Sequence, residues 1–173
     1  KAEYDAAPRR VIVVFIYILI RFRKWQFSLG AVAAVFHDVI IVLGVFSLTY
    51  KFMPFSMEID QAFIAAILTV IGYSLNDTVV VFDRIREFFN EHTSWPFTEV
   101  IDKSLSSTLS RTLNTSLTTL VVLLAIFIFG GESIRGFMFA LIVGVIVGTY
   151  SSLFIATPIM YDTAKKGDAA DSL

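Results

Sequence analysis

The stretch Gly72–Glu87, GYSLNDTVVVFDRIRE, decides how this chain is to be read. It closes an apolar run that begins near Gln61, so Asn76 and Asp77 fall inside a segment that otherwise reads as a membrane span. Asp83, Arg84, Arg86 and Glu87 lie just beyond it and form a charged shelf. An aspartate at the centre of a span costs about 3 kcal/mol on insertion scales, so such a residue generally has a partner or a use.

Composition sets the solvent. Over 173 residues, 56% of side chains are hydrophobic and 17% charged, with a mean hydropathy of +0.74. Ordinary soluble domains are about half apolar and a quarter charged. The chain therefore reads as an all-α, polytopic membrane helix bundle. A formal net charge of -1 and basic residues scattered near the ends of apolar runs argue against a nucleic-acid partner. The absence of cysteine excludes disulfides, thiolate metal sites and cysteine nucleophiles.

Residues 1–10 read as a partial or irregular amino-terminal segment, and the bundle is expected over 11–160. Its first apolar run, Val11–Phe22, is twelve residues long, short against the ~20 that a crossing helix needs. Arg9 and Arg10 must snorkel to one surface while Arg21, Arg23 and Lys24 hold the other. Further spans are expected at Ser28–Tyr50, Gln61–Phe82, Thr108–Phe129 and Gly136–Ile159, about five in all. Lys51–Asp60, with Pro54, reads as a surface turn, and Glu132–Arg135 as a tight turn. The connector 83–107 reads as short amphipathic helices on either side of Pro96, lying along the interface. Gly136, Gly144 and Gly148 offer close helix approach. After Pro158 the chain becomes polar, and 161–173 reads as a cytoplasmic tail.

Lysine and arginine orient the spans. Arg21, Arg23 and Lys24, then Arg84, Arg86 and Lys103, then Lys165 and Lys166 fall on one side, against only Lys51 and Arg135 in the opposite loops. The richer side, with the carboxyl terminus, is expected to be cytoplasmic. Lys1, Arg9 and Arg10 depart from that pattern and point to an external domain upstream.

Within this frame the intramembrane acid finds a base. Steps of three or four from Arg111 meet Ser104, Ser107, Thr108, Asn114, Thr115 and Thr118, a polar stripe along one face of the fourth span. Asp77 lies six residues before Asp83 and Arg111 eight after Lys103, so at ~1.5 Å per residue both are roughly 10 Å deep in antiparallel neighbours. Facing each other, and wetted by Asn76, Asn114 and the hydroxyls, the two would titrate as a unit. The alternative is a static ion pair that fixes packing. His37 and Asp38 fall near the middle of the second run. Adjacent helical side chains point about 100° apart and do not both face one partner, so the pair reads as packing through hydrogen bonds or, alternatively, as a second titratable station. His37 and His92 are the only histidines, and no carboxylate and histidine cluster has ligand spacing, so neither a metal nor another cofactor is expected. There is no GxSxG or Gly-rich phosphate loop, and an enzyme is not expected.

GYSLNDTVVVFDRIRE, followed by LSRTLNTSLTTLVVLLAIFIFGG and VGTYSSLFIATPI, with FSLGAVAAVFHDVIIVLGVFSL upstream, closely resembles the SecF family of bacterial protein-translocase subunits, over roughly Arg21 to Ile159. The resemblance implies a six-helix bundle of the resistance-nodulation-division type in the bacterial inner membrane, paired with SecD. It implies assistance to the SecYEG channel, with proton or sodium flow coupled to late steps in the export of unfolded chains, and contact with further membrane insertion factors. Asp77 and Arg111 match the acid and base that the family assigns to ion conduction. Against the family pattern, the first span and external domain are missing, and the AAPRR entry is shorter and more charged. Two other readings stay open: a small-molecule exporter of the resistance-nodulation-division type, and a subunit that stabilises a translocon without conducting ions.

Overall fold

Many large apolar side chains lie on the outside of this molecule, and glycine, alanine and hydroxyl side chains share the inside with a few aromatic and aliphatic ones, unlike a water-soluble bundle. The computed structural model describes Val13, Ile16, Ile20 and the continuous stretch 25–166. Helix α1, Trp25–Thr49, buries Gly30, Ala31, Ala34, Asp38 and Val42 along one face. On its other face Phe36 is 68% exposed and Leu48 75%. Lipid tails are as apolar as leucine, so helices in a membrane associate through small residues and polar contacts.

After an irregular turn, helix α2 runs Gln61–Glu91 and is started by Asp60, whose carboxylate accepts a hydrogen bond from the Phe63 amide at 2.8 Å. Helix α3, Phe97–Phe129, is entered through Pro96, and its carboxyl end meets Gly130. Helix α4, Glu132–Ser151, continues through a π-helical segment, Ser152–Ala156, into α5, Thr157–Lys166. Four helical stretches are long and apolar enough to cross a membrane: Trp25–Thr49, Gln61–Glu91, Phe97–Phe129 and Glu132–Ala164. The expected span Val11–Phe22 falls, apart from three helical residues, outside the described residues, as do 1–10 and 167–173.

Several expected boundaries are corrected. The connector 83–107 is not a pair of separate interfacial helices. Asp83–Glu91 continues α2 and Phe97–Ser107 begins α3, leaving a turn at His92–Pro96 in which the His92 and Trp95 rings stack with centroids 3.8 Å apart. At 31 residues α2 is about 46 Å long, more than a ~30 Å hydrocarbon layer covers, so it projects beyond it. Glu132–Arg135 is the first turn of α4 rather than a loop, and the reversal is made by Gly130 and Gly131. A Cβ on Gly130 would stand 2.3 Å from the Ile126 carbonyl oxygen, which closes that corner to other residues. Pro158 does not end the last span, because the preceding π turn shifts the hydrogen-bond register before the proline's missing N–H is reached. The Thr157 hydroxyl donates to the Ser152 carbonyl at 3.0 Å across that turn.

Helix α4 packs against α1, α2 and α3 and is the axis of the bundle. In its most apolar window, 56% of residues are buried, against 11% for α3, which covers only one side of the molecule. Gly144 allows the close α2–α4 approach, since a Cβ there would fall 2.0 Å from Val70 Cγ2. Two apolar clusters form the core. One gathers Phe27, Ala31, Phe82, Ile85, Leu153 and Met160, and the other Val42, Phe46, Phe63, Val70, Ala140 and Leu141. Between them, on every helix that joins both clusters, lies a layer of polar side chains.

Candidate functional site

The polar layer is built by helical spacing. On α2, Tyr73, Ser74 and Asp77 share the inward side, and on α3 the four-residue series Ser104, Thr108, Thr112, Ser116 is buried. Helix α4 and the π turn add Thr149, Tyr150, Ser151 and Ser152, and α1 adds His37 and Asp38.

Two carboxylates sit in this layer. Asp77 is 8% exposed. Its Oδ1 accepts from the Thr112 hydroxyl at 3.5 Å and its Oδ2 from the Ser152 hydroxyl at 3.3 Å, long contacts that hold it loosely. Asp38 is wholly buried and more firmly held. Its Oδ2 accepts from the Ser74 hydroxyl and, at 2.8 Å, from that of Ser151, while its Oδ1 lies 3.0 Å from His37 Nδ1. His37 Nε2 is 3.1 Å from the Tyr150 hydroxyl. A third cluster completes the layer: the Thr149 hydroxyl donates to Ser116 Oγ at 2.7 Å, and Ser116 pairs with the Tyr73 hydroxyl at 2.9 Å. All of these hydrogen bonds except His37–Asp38 tie one helix to another, and those made by Asp38 and Asp77 to serine and threonine hydroxyls are buried, where water competes little.

The sequence-derived stripe divides in two. Ser104 and Thr108 point into the bundle, whereas Ser107, Arg111, Asn114, Thr115 and Thr118 are exposed, as is Asn76 on α2. The equal depth of Asp77 and Arg111 is reproduced, because Thr112, next to Arg111, touches Asp77. Their facing is not. Arg111 lies about 100° around α3 from Thr112 and turns to the open side, so Asp77 meets hydroxyls there instead of the guanidinium. The Thr115 and Thr118 hydroxyls are satisfied by the carbonyls of Arg111 and Asn114, one turn back. The neighbours His37 and Asp38 bond to each other and, as adjacent helical positions should, do not share a further partner: His37 reaches Tyr150, and Asp38 reaches Ser74 and Ser151.

Below Asp77, towards the α2–α3 turn, a cleft of about 490 Å³ is lined by Asp83, Arg84, Glu87, Ser107, Thr108 and Arg111. Arg84 crosses it, donating from Nε to Ser107 Oγ at 3.1 Å, pairing with Glu87 and lying over the Phe88 ring. The cleft gives water a polar approach to within one helical turn of Asp77. Sequence reasoning passed over Tyr73, Ser74, Thr112, Ser116, Thr149, Tyr150, Ser151 and Ser152. The visible signal was the repeat of Ser or Thr at every fourth residue from Ser104 to Ser116. Among the described residues no three histidine or acidic side chains are grouped to hold a metal.

Comparison with known proteins places this architecture. The family model "Protein export membrane protein SecD/SecF, C-terminal" matches residues 6–166. The protein translocase subunit SecF of Rhodothermus marinus is 60% identical over 159 residues, 92% of this chain and 51% of that protein. The crystal structure of SecDF in its super-membrane-facing form superposes with a TM-score of 0.81 at 39% identity, covering 94% of this chain and 22% of that one. That of the translocon-associated membrane protein SecDF from Thermus superposes with a TM-score of 0.76 at 42% identity, covering 87% of this chain and 20% of that one. The chain thus spans about half the length of its SecF relative and a smaller share of the SecDF chains. With the family match over nearly its whole length and an all-α bundle of membrane-crossing helices, the chain belongs to the SecD/SecF family of protein export membrane proteins.

Proposed function

We propose that this chain is the ion-coupling membrane part of a protein-export subunit in the bacterial inner membrane, acting with a SecD partner beside the SecYEG channel. The observation that carries the reading is a loosely held, buried Asp77 at the same depth as an arginine on a face this chain leaves open. A charge on that face is costly against lipid. A second bundle covering α3 would offer Arg111 a polar surface, and the SecDF relatives, which carry both parts in one chain, support such a neighbour. The proton affinity of Asp77 depends on how near a guanidinium comes, so movement of the two bundles against each other and proton exchange through the cleft become one event. That movement, passed to domains outside this stretch, would act on an unfolded chain in transit. The carboxyl terminus and the α2–α3 turn face the cytoplasm in this arrangement.

The test uses the whole subunit, reconstituted with SecD and SecYEG in vesicles carrying an imposed proton gradient. Asp77→Asn and Arg111→Met are each expected to abolish the gradient-stimulated part of export while assembly with SecD persists. Wild-type export in either variant would remove ion coupling from this site and favour a purely structural subunit.

A further inference from the structure

We infer that His37, Asp38 and Tyr150 form a second proton-binding station, separate from Asp77 and entered from the face of the bundle where Tyr150 is exposed. Tyr150 is 37% exposed and Asp38 is wholly buried, and His37 bridges them with one ring nitrogen on each. The result is an unbroken hydrogen-bonded path from the lateral face of the bundle, at mid-span, to a buried carboxylate. Static packing would not require it, since the Ser74 and Ser151 hydroxyls alone tie Asp38 to α2 and α4. An uncharged asparagine would accept those bonds at less cost.

The chemistry balances within the pair. With His37 neutral and its proton on Nδ1, that N–H donates to Asp38 Oδ1 and Nε2 accepts from the Tyr150 hydroxyl. A proton arriving on Nε2 turns the Tyr150 hydroxyl round to accept, and the Nδ1 proton passes to Asp38. The imidazole is left neutral with its hydrogen on Nε2, and the pair has gained one proton. Release runs the steps backward.

Few other charges bear on the station. Helix α1 contributes His37, α4 contributes Tyr150, and α2 presents the Ser74 hydroxyl with Tyr73 and Asp77 on the same side. Helix α3 reaches the layer through Ser116. Among the described residues no lysine or arginine pairs with Asp38. Its carboxylate oxygens face an imidazole and two hydroxyls, which suits a proton rather than a metal cation needing about six oxygen ligands. A neutral carboxyl is a weaker acceptor than a carboxylate, so loading the station slackens the hold on Ser151. Ser151 directly precedes Ser152, the Asp77 ligand that opens the π turn. Occupancy of one acid can therefore reach the other through a helix segment of a kind that often marks functional sites.

Infrared spectroscopy of the full-length subunit in lipid, titrated between about pH 4 and 10, reads the station directly. We expect a protonated-carboxyl band that vanishes in Asp38→Asn, persists in Asp77→Asn, and shifts its midpoint by at least ~0.5 unit, a threefold change in proton affinity, in both Tyr150→Phe and His37→Gln. Tyr150 is exposed and His37 only half-buried, so those variants decide the matter even if Asp38→Asn does not fold. Absence of any band assignable to Asp38, or a midpoint indifferent to both variants, would overturn the proposal. A midpoint that moves when sodium replaces potassium at fixed ionic strength would overturn it in favour of a cation site. Persistence of the band in Asp77→Asn is read independently of export, so failure of ion coupling at Asp77 and failure of this station give different results.

Discussion

Thr112 and Thr115 are one turn apart on α3 and do different work. The Thr112 hydroxyl is spent on Asp77 across the helix interface, whereas that of Thr115 returns to the carbonyl of Arg111 on its own helix. Thr112→Val keeps shape and volume while removing a donor from a buried carboxylate. It should cost about 1 kcal/mol, in the range found for single interhelical hydrogen bonds in membranes, and lower gradient-stimulated export several-fold. Thr115→Val should leave stability in detergent unfolding unchanged to within about 0.5 kcal/mol, because an exposed hydroxyl bonded within its own helix holds nothing else in place. Equal losses in the two would show that the inward series on α3 has no special place. The contrast also shows where the sequence was legible. Depth follows from counting residues from a charged end, and by that measure Asp77 and Arg111 were correctly placed together. Direction around the helix axis could not be counted, and there the expected pairing missed Thr112, one position away.

Among the helices, the contact between α2 and α4 is the most demanding. Gly144 has no room for a methyl group, with Val70 Cγ2 at 2.0 Å and Val70 itself 1% exposed. Val70 is β-branched and has little rotamer freedom with which to retreat. Gly144→Ala should therefore destabilise by roughly 1–3 kcal/mol through overpacking. Adding Val70→Ala to that variant should recover part of the loss, a coupling that a double-mutant cycle in detergent unfolding measures directly. Gly44 and Gly72 have open space where a Cβ would stand, so alanine there should be neutral or stabilising by up to ~1 kcal/mol. If Gly144→Ala is as benign as Gly72→Ala, the two helices do not approach as closely as described. The glycines at 144 and 148 were visible in sequence as small-residue spacing, but their partner was not. The π turn was not read from sequence, since nothing in SLFIA differs from an ordinary apolar helix.

Taken whole, the bundle is lopsided: α4 is the most enclosed of the helices, and α3 presents Leu113, Leu117 and Val121 together with Arg111 and Asn114 to the outside. Its two ends also differ. Ser56 and Ser133 line one small hollow beside the start of α2 and α4, while Ser94 lies in the turn at the far end of α2. By the lysine and arginine distribution, the Ser94 end is the one expected to face the cytoplasm. In cells producing the full-length protein, single cysteines at Ser56 and Ser133 should react with an impermeant maleimide, and one at Ser94 should react only after the membrane is opened. Labelling of Ser94 alone in intact cells would invert the arrangement and, with it, the side proposed above for proton entry into the cleft.

Hydropathy and span length were sufficient to identify the helical membrane class, the long apolar helices within 25–166 and the common level of Asp77 and Arg111 along neighbouring helices. These are one-dimensional properties, set by how far a residue lies along a helix from its charged end. Packing was needed to reveal the polar layer between two apolar clusters, the bonding of Asp38 to two other helices, and the outward turn of Arg111. The reason lies in the solvent. In water an apolar stripe announces which side of a helix is buried, but in lipid both sides are apolar and the rotation of each helix is left to close contacts among glycine, alanine and hydroxyl side chains. Those contacts depend on the partner helix as much as on the residue itself, so the azimuth of a side chain emerges only when the helices are assembled.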